Sequence, residues 1–292
     1  PPVSLPPQRI LLGVFFICLA GLQFAAMTGI AKHLGATYSS LQISWARAFV
    51  HVPFLLIAFL PRHGLGVLRT RRPFMQLARS ALLFTSNLST FFALTFIPLA
   101  KAASISQTAP LIVTALAGPM LGERTTRARV VAVCCGFLGV LLVIRPGSAV
   151  FHWAALAVLL SAVSYATYQI LTRKVAGVES AETSAVYSSM VGAFGMLLVI
   201  PFVWVTPHSL VDWGLFVAVG MLGAMGHYCI ALAFGFGPAN ILSPFQYFQL
   251  LSSVLVGYVA FGEVPDAYTW VGGLVIVASG IFIGWSQTRK AP

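Results

Sequence analysis

Asn87 and His227 stand 140 residues apart, and Gln107 and Gln246 stand 139 apart, all four inside long apolar stretches. A polar group in hydrocarbon costs several kcal/mol unless satisfied, so these side chains face either a neighbouring helix or a watery pocket. Matched positions in the two halves of the chain favour the pocket, although for His227 alone a hydrogen bond between helices accounts for it equally well. Arg47 lies about six residues into its stretch, on the order of 9 Å from the end at about 1.5 Å per residue. Two roles fit that depth: a stem that snorkels to the interface, or a guanidinium that pairs with the carboxylate of a bound solute. Tyr165, Tyr168 and Tyr247 offer ring faces to an aromatic, aliphatic or cationic guest, with ordinary packing as the alternative for each. The candidate binding set is therefore Asn87, Gln107, His227 and Gln246 at a polar end, the three tyrosines along an apolar body, and Arg47 at a carboxylate.

Other chemistries find no residues to carry them. The six acids, Glu123, Glu179, Glu182, Asp212, Glu263 and Asp266, all fall in connections or at helix ends, which argues against an intramembrane carboxylate relay and against a two-carboxylate hydrolase. The sequence contains no HExxH, GxSxG or GxxxxGK[ST] pattern. The four cysteines lie in apolar runs without a CxxC pair and are expected to be buried packing residues. No catalytic residue, metal or cofactor is expected. Glu123 and Glu263 each follow a glycine suited to ending a helix and precede a new one, so both are expected to be caps.

These residues need an apolar scaffold. Hydrophobic residues make up 59% of the chain and charged ones 8%, with a mean hydropathy of +0.92, a composition that belongs in a bilayer. Ten stretches approach the roughly 20 apolar residues a crossing needs: 9–32, 41–61, 74–96, 99–121, 126–145, 151–174, 182–205, 211–235, 239–261 and 267–287. With ten crossings, alternate connections share a side, and one side then collects 13 of the 17 bases. That excess marks the cytoplasm and places both termini there, and it explains the +11 net charge without nucleic acid. Lys32, Lys101 and Arg145 fall on the other side, Lys101 as an expected interfacial anchor; Trp153, Trp204, Trp213 and Trp285 near stretch ends read as anchors too. The opening PPVSLPPQ reads as a short tail rather than a signal peptide.

The chain reads twice. Phe96-Ile97-Pro98, followed by an apolar run closed by Leu121-Gly122-Glu123, recurs as Phe236-Gly237-Pro238 and a run closed by Phe261-Gly262-Glu263. Blocks at 1–147 and 148–292 with five crossings each, an odd number, must lie inverted, which places a binding site where they meet. The expected fold is thus an all-α membrane protein of ten transmembrane helices in two inverted five-helix repeats. Pro110 is expected to kink the fourth helix, and GxxxG at Gly118 and Gly280 permits close helix contact without establishing a dimer.

Ala100, Pro110, Leu121-Gly122-Glu123, Phe261-Gly262-Glu263 and Arg47 together resemble the drug/metabolite transporter superfamily, in its branch of two EamA-type repeats. The resemblance implies a central cavity formed by the third, fourth, eighth and ninth helices, and within the superfamily the chain looks most like YddG-type aromatic amino acid exporters. Leu250 in place of a second Pro110, and Ile241 in place of a second Lys101, make the two halves unequal. The expected function is alternating-access export of small metabolites across the inner membrane, above all amino acids with large apolar or aromatic side chains. A multidrug exporter of lipophilic cations and, in a different class, a membrane-embedded enzyme are the alternatives. Expected partners are the small-molecule substrate and the lipid bilayer, with the chain a monomer or weak dimer.

Overall fold

The computed structural model describes residues 7–121, 127–148, 151–175, 178–236 and 243–288. Expectations for Gly122, Glu123, Gly237, Pro238 and Ile241 lie outside the described residues, as do Arg289 and Lys290.

Helix is present in each of the ten expected stretches, and no β-strand occurs among the described residues. α1 (Pro7–Leu34) turns tightly into α2 (Ser40–His63), whose first turn is capped by the Ser39 hydroxyl accepting from the Gln42 N–H at 3.2 Å. α3 (Pro73–Leu94) begins on a proline, tolerated there because the first helical N–H has no intrahelical partner. The fourth stretch is broken into α4 (Leu99–Ser106) and α5 (Ala109–Leu121). Pro110 has no N–H to give the preceding turn and its ring crowds that turn, so the expected kink is a full interruption at Gln107 and Thr108. α6 (Arg127–Ile144) and α7 (Ala154–Val175) are continuous. The seventh stretch is fragmented into α8 (Ala181–Tyr187), a π-helical turn over Val191–Gly195 and α9 (Ile200–Val203). Trp45 serves that irregular backbone, its indole N–H donating to the Ala193 carbonyl at 3.0 Å. α10 (Leu210–Phe236), a 3-10 turn over Ser243–Tyr247, α11 (Phe248–Phe261) and α12 (Ala267–Thr288) complete the chain.

Among the described residues five segments are long and apolar enough to cross a bilayer: Ile10–Leu34, Ser40–Arg62, Leu99–Leu116, Ala154–Thr172 and Leu210–Ile230. Shorter apolar helices lie at Val130–Ile144, Phe245–Phe261 and Ala267–Phe282. Large apolar side chains such as Phe15, Ile57, Phe74, Leu198 and Val259 point outward, a surface suited to lipid and not to water. Cys134 and Cys135 belong to that surface, so the expectation that all four cysteines are buried fails for them.

Side chains near helix ends show which connections share an end of the bundle. Tyr38, after α1, donates to Asp212 and accepts from the His208 N–H, both at 2.9 Å. Phe96, after α3, stacks on His152, after α6, with ring centroids 5.4 Å apart, and Arg145 pairs with Asp266. At the opposite end Glu179, after α7, accepts from the Thr70 hydroxyl and from the N–H groups of Arg71 and Arg72 at 2.8–3.0 Å. The first end is the more tightly closed. The largest buried cluster, with Ala31, Leu34, Ile43, Leu94, Ile97 and Leu99, lies towards it.

The glutamate after α11 departs from its expected role. Gly262 does end the helix in the left-handed region, with φ +65°, but Asp266 and not Glu263 caps α12, accepting from the Thr269 N–H at 2.8 Å. Glu263 instead reaches across the bundle, accepting from Lys32 Nζ at 2.5 Å and from the Leu99 N–H at 2.7 Å, while Lys32 also donates to the Ile97 carbonyl at 2.9 Å. One carboxylate thus joins the ends of α1 and α11 to the start of α4. Lys101, two residues further along α4, is buried rather than interfacial.

Helix pairing repeats between the halves. α1 packs on α10 as α7 packs on α3, and α1 packs on α11 as α7 packs on α5. α6 and α12 cross where Gly139 and Gly272 let the backbones touch: a Cβ at Gly139 would sit 2.8 Å from the Gly272 carbonyl oxygen, and one at Gly272 2.6 Å from the Gly139 oxygen.

Candidate functional site

The break between α4 and α5 meets the start of α11 inside the bundle. Gln107 closes α4 at the break in the fourth stretch, and Gln246 lies in the 3-10 turn that leads into α11. Gln107 Nε2 donates to the Gln246 carbonyl at 3.4 Å. Non-helical backbone at membrane depth is tolerated only where its freed groups are buried in protein or line a cavity. A cavity of about 190 Å³ surrounds this junction, bounded by α1, α2, α3, α4, α5, α7, α10 and α11.

Six of the eight candidate residues line it: Arg47, Asn87, Gln107, Tyr165, His227 and Gln246. Asn87 gives one N–H to the Leu83 carbonyl of its own helix at 2.7 Å, which leaves its amide oxygen for a guest. Arg47 is 3% exposed, so the snorkelling role is set aside. Its Nη2 lies 3.5 Å from His227 Nε2 and its Nε 3.4 Å from Met27 Sδ. His227 in turn meets the Phe24 ring edge-on, with centroids 5.1 Å apart. Gly223 makes room for the guanidinium: a Cβ there would stand 3.1 Å from Arg47 Nε. Among the described residues no carboxylate pairs with Arg47, and none lines the cavity. A fixed positive charge, amides and hydroxyls in an otherwise apolar chamber suit an anionic group carried on an apolar body.

The other two tyrosines stand elsewhere. Tyr168 stacks behind Tyr165 at 5.8 Å, with its ring under the Arg79 guanidinium at 5.1 Å. Tyr247 packs against α12 at Gly280, a site a Cβ would close. Neither is among the described residues lining the central cavity.

Two polar groupings were not anticipated. Arg79, counted with the surface bases, is 1% exposed; its Nε donates to the Thr172 hydroxyl at 2.9 Å and it also bonds Gln76. An arginine near a helix start looks the same in sequence whether it faces lipid headgroups or a neighbouring helix. The second grouping is a hydroxyl cluster in which Ser161 bonds Ser86 at 2.9 Å and Thr90 at 2.7 Å, on the cavity wall between α3 and α7. The spacing of Ser86 and Thr90, one helical turn apart and beside Asn87, is the signal that would have found it.

The sequence matches the EamA-like transporter family twice, over residues 11–145 and again over 152–285. The chain belongs to this family. Among characterised proteins this EamA-like chain is 30% identical to an S-adenosylmethionine uptake transporter of Rickettsia conorii, over 97% of this chain and 95% of that one. It is 29% identical to a riboflavin transporter of Rhizobium johnstonii, over 99% and 96%. It is 30% identical to the pseudopaline exporter CntI of Pseudomonas aeruginosa, over 95% and 97%. A crystal structure at 22% identity superposes with a TM-score of 0.65, covering 98% of this EamA-like chain and 99% of the other, which speaks to fold alone. Family and relatives are membrane transporters of small molecules, and this chain is a membrane transporter of the drug/metabolite superfamily.

Proposed function

We propose that this chain is an alternating-access carrier of ten crossings, built from inverted five-helix repeats at 1–147 and 148–292, with both termini in the cytoplasm of a cell bounded by its inner membrane. Supporting this are the helix in all ten stretches, the connections gathered alternately at opposite ends, and helix pairing that repeats between the halves. Its cargo is a small metabolite with a carboxylate and a large apolar or aromatic side chain, moved outward. The observation that carries this reading is Arg47, buried beside the glutamine junction without a carboxylate of its own. A cargo carboxylate would pair with Arg47 and its remaining polar atoms would meet Asn87, Gln107, His227 and Gln246. Its side chain would lie against Tyr165, with Tyr168 supporting that ring from behind and Tyr247 holding α12 in place.

The relatives supply a second reading, a larger heteroaromatic cargo such as S-adenosylmethionine or riboflavin. At about 190 Å³ the cavity is smaller than the roughly 300–1,000 Å³ of sites for drug-sized ligands, which favours the amino acid. Lipophilic cations are disfavoured by the fixed positive charge on the wall.

Radiolabelled L-phenylalanine, L-tryptophan, S-adenosylmethionine, riboflavin and tetraphenylphosphonium, tested in proteoliposomes, decide among these. Accumulation of either amino acid unmodified is expected; a chemically altered product would point to an enzyme. Replacing Asn87 and His227 with Ala is expected to cut transport by about tenfold each, the loss of roughly one good hydrogen bond. Full transport at normal expression would remove them from the site.

A further inference from the structure

A second cavity, of about 400 Å³, lies between α2, α8 and α10 with Tyr168 of α7 on its wall. His227 lines both cavities, so its imidazole, with the Arg47 guanidinium beside it, is the partition between them. His51 stands on the far side of that partition, its ring centroid 5.9 Å from that of His227, with a buried Nδ1 that has no hydrogen-bond partner among the described residues. From this point α2 and α10 diverge. They are pressed together at Val50 and Gly220, where a Cβ on the glycine would lie within 2.7 Å of the valine side chain. They stand apart around Leu55, Phe59, Leu232 and Phe236, towards the end where Glu179 meets Arg71.

We propose that this cavity is a second binding position for the transported solute, on the base-rich side of the Arg47 and His227 partition. Its walls share the central site's apolar lining but carry the Glu182 carboxylate where the central site has a guanidinium, which suits the apolar body and the ammonium of the same amino acid. Phe59, Tyr168, Tyr228 and Phe236 offer an apolar and aromatic bed, with His51 and His227 at its inner end. A solute moving between the two positions passes His227, which contributes to both. The proposal rests on the central cavity being a transport site, and the test separates the two ideas.

Ala185 lines the second cavity and not the central one. With the four native cysteines replaced by Ala, the Ala185→Cys chain in inside-out vesicles is expected to react with fluorescein-5-maleimide. Each solute of the transport panel is then added, L-phenylalanine first. A transported solute at ten times its Kd should slow the labelling about tenfold. The same protection should persist after Asn87→Ala, which weakens the central site only. Ser148→Cys, at the opposite end, should label only in right-side-out vesicles. Absence of labelling, or labelling that no solute slows, overturns the second position, as does protection that vanishes with Asn87→Ala. Protection of the Ala185→Cys chain while Asn87→Ala and Arg47→Met leave transport untouched would keep the second position and sink the central one. Leu232→Cys on the facing helix repeats the measurement should the first variant fail to accumulate.

Discussion

Exchanging Arg47 for methionine is expected to abolish concentrative transport of L-phenylalanine while leaving the protein folded. A charged hydrogen-bonded contact is worth about 1.5–3 kcal/mol, roughly 10- to 150-fold in affinity for a solute carboxylate. The fold itself should tolerate the change. Among the described residues Arg47 has no carboxylate that its removal would strand, and its nearest polar neighbours are a thioether and an imidazole. Replacing a buried charge by an apolar side chain of similar volume is commonly neutral or stabilising. Arg47→Lys keeps the charge but not the planar fork, so it should retain binding weakened about tenfold. Size-exclusion profiles and solute titrations on the two variants separate loss of binding from loss of fold; undiminished transport by Arg47→Met would end the carboxylate-pairing role.

Removing the Glu263 carboxylate should be the most destabilising single change at the closed end. Glu263→Ala strands the Lys32 ammonium and leaves the Leu99 N–H without its acceptor, three chain segments losing their common tie. Breaking a buried pair costs about 3–5 kcal/mol, and side chains 15% and 17% exposed place this one near the lower bound. A melting midpoint several degrees below that of the parent protein is expected in a fluorescence-detected thermal scan. Lys32→Met combined with Glu263→Leu should recover most of the loss, because no charge is then left unpaired. A Glu263→Ala protein that melts with the parent would mean the clamp holds nothing together.

The scaffold was readable because the bilayer imposes a simple code: runs of apolar residues with breakers between them became helices. The candidate cavity was legible where duplication gave each half a reference, so that Asn87 pointed to His227 and Gln107 to Gln246, all four on its wall. What failed was whatever depends on the direction a side chain takes from its helix. Tyr165 and Tyr168 are three residues apart on α7, and nothing in their spacing tells that one lines the central chamber and the other lies under Arg79. Glu263 looked like a local cap because its glycine is local; its partner on α4 is 164 residues away and emerges only in the folded bundle. The fragmentation of the seventh stretch was equally hidden, since its apolar composition reads as one uninterrupted helix.

The lone guanidinium also makes the carrier a voltmeter. Under the proposed alternating access the site moves the positive charge of Arg47 through whatever fraction of the membrane field it spans, worth up to about 2.3 kcal/mol per 100 mV. A zwitterionic amino acid leaves that charge unchanged, because its ammonium offsets its carboxylate, whereas a net-anionic cargo would cancel it. In a cell that is negative inside, the field therefore draws the site towards the cytoplasm whether it is empty or holds a zwitterion, and only a net-anionic cargo would release it from that bias. The sealed opposite end, fastened by Lys32 and Glu263, is the posture that bias would favour. A capacitive current on solute addition, recorded on a solid-supported membrane, is its electrical signature, and its absence would mean the charge at Arg47 never feels the field.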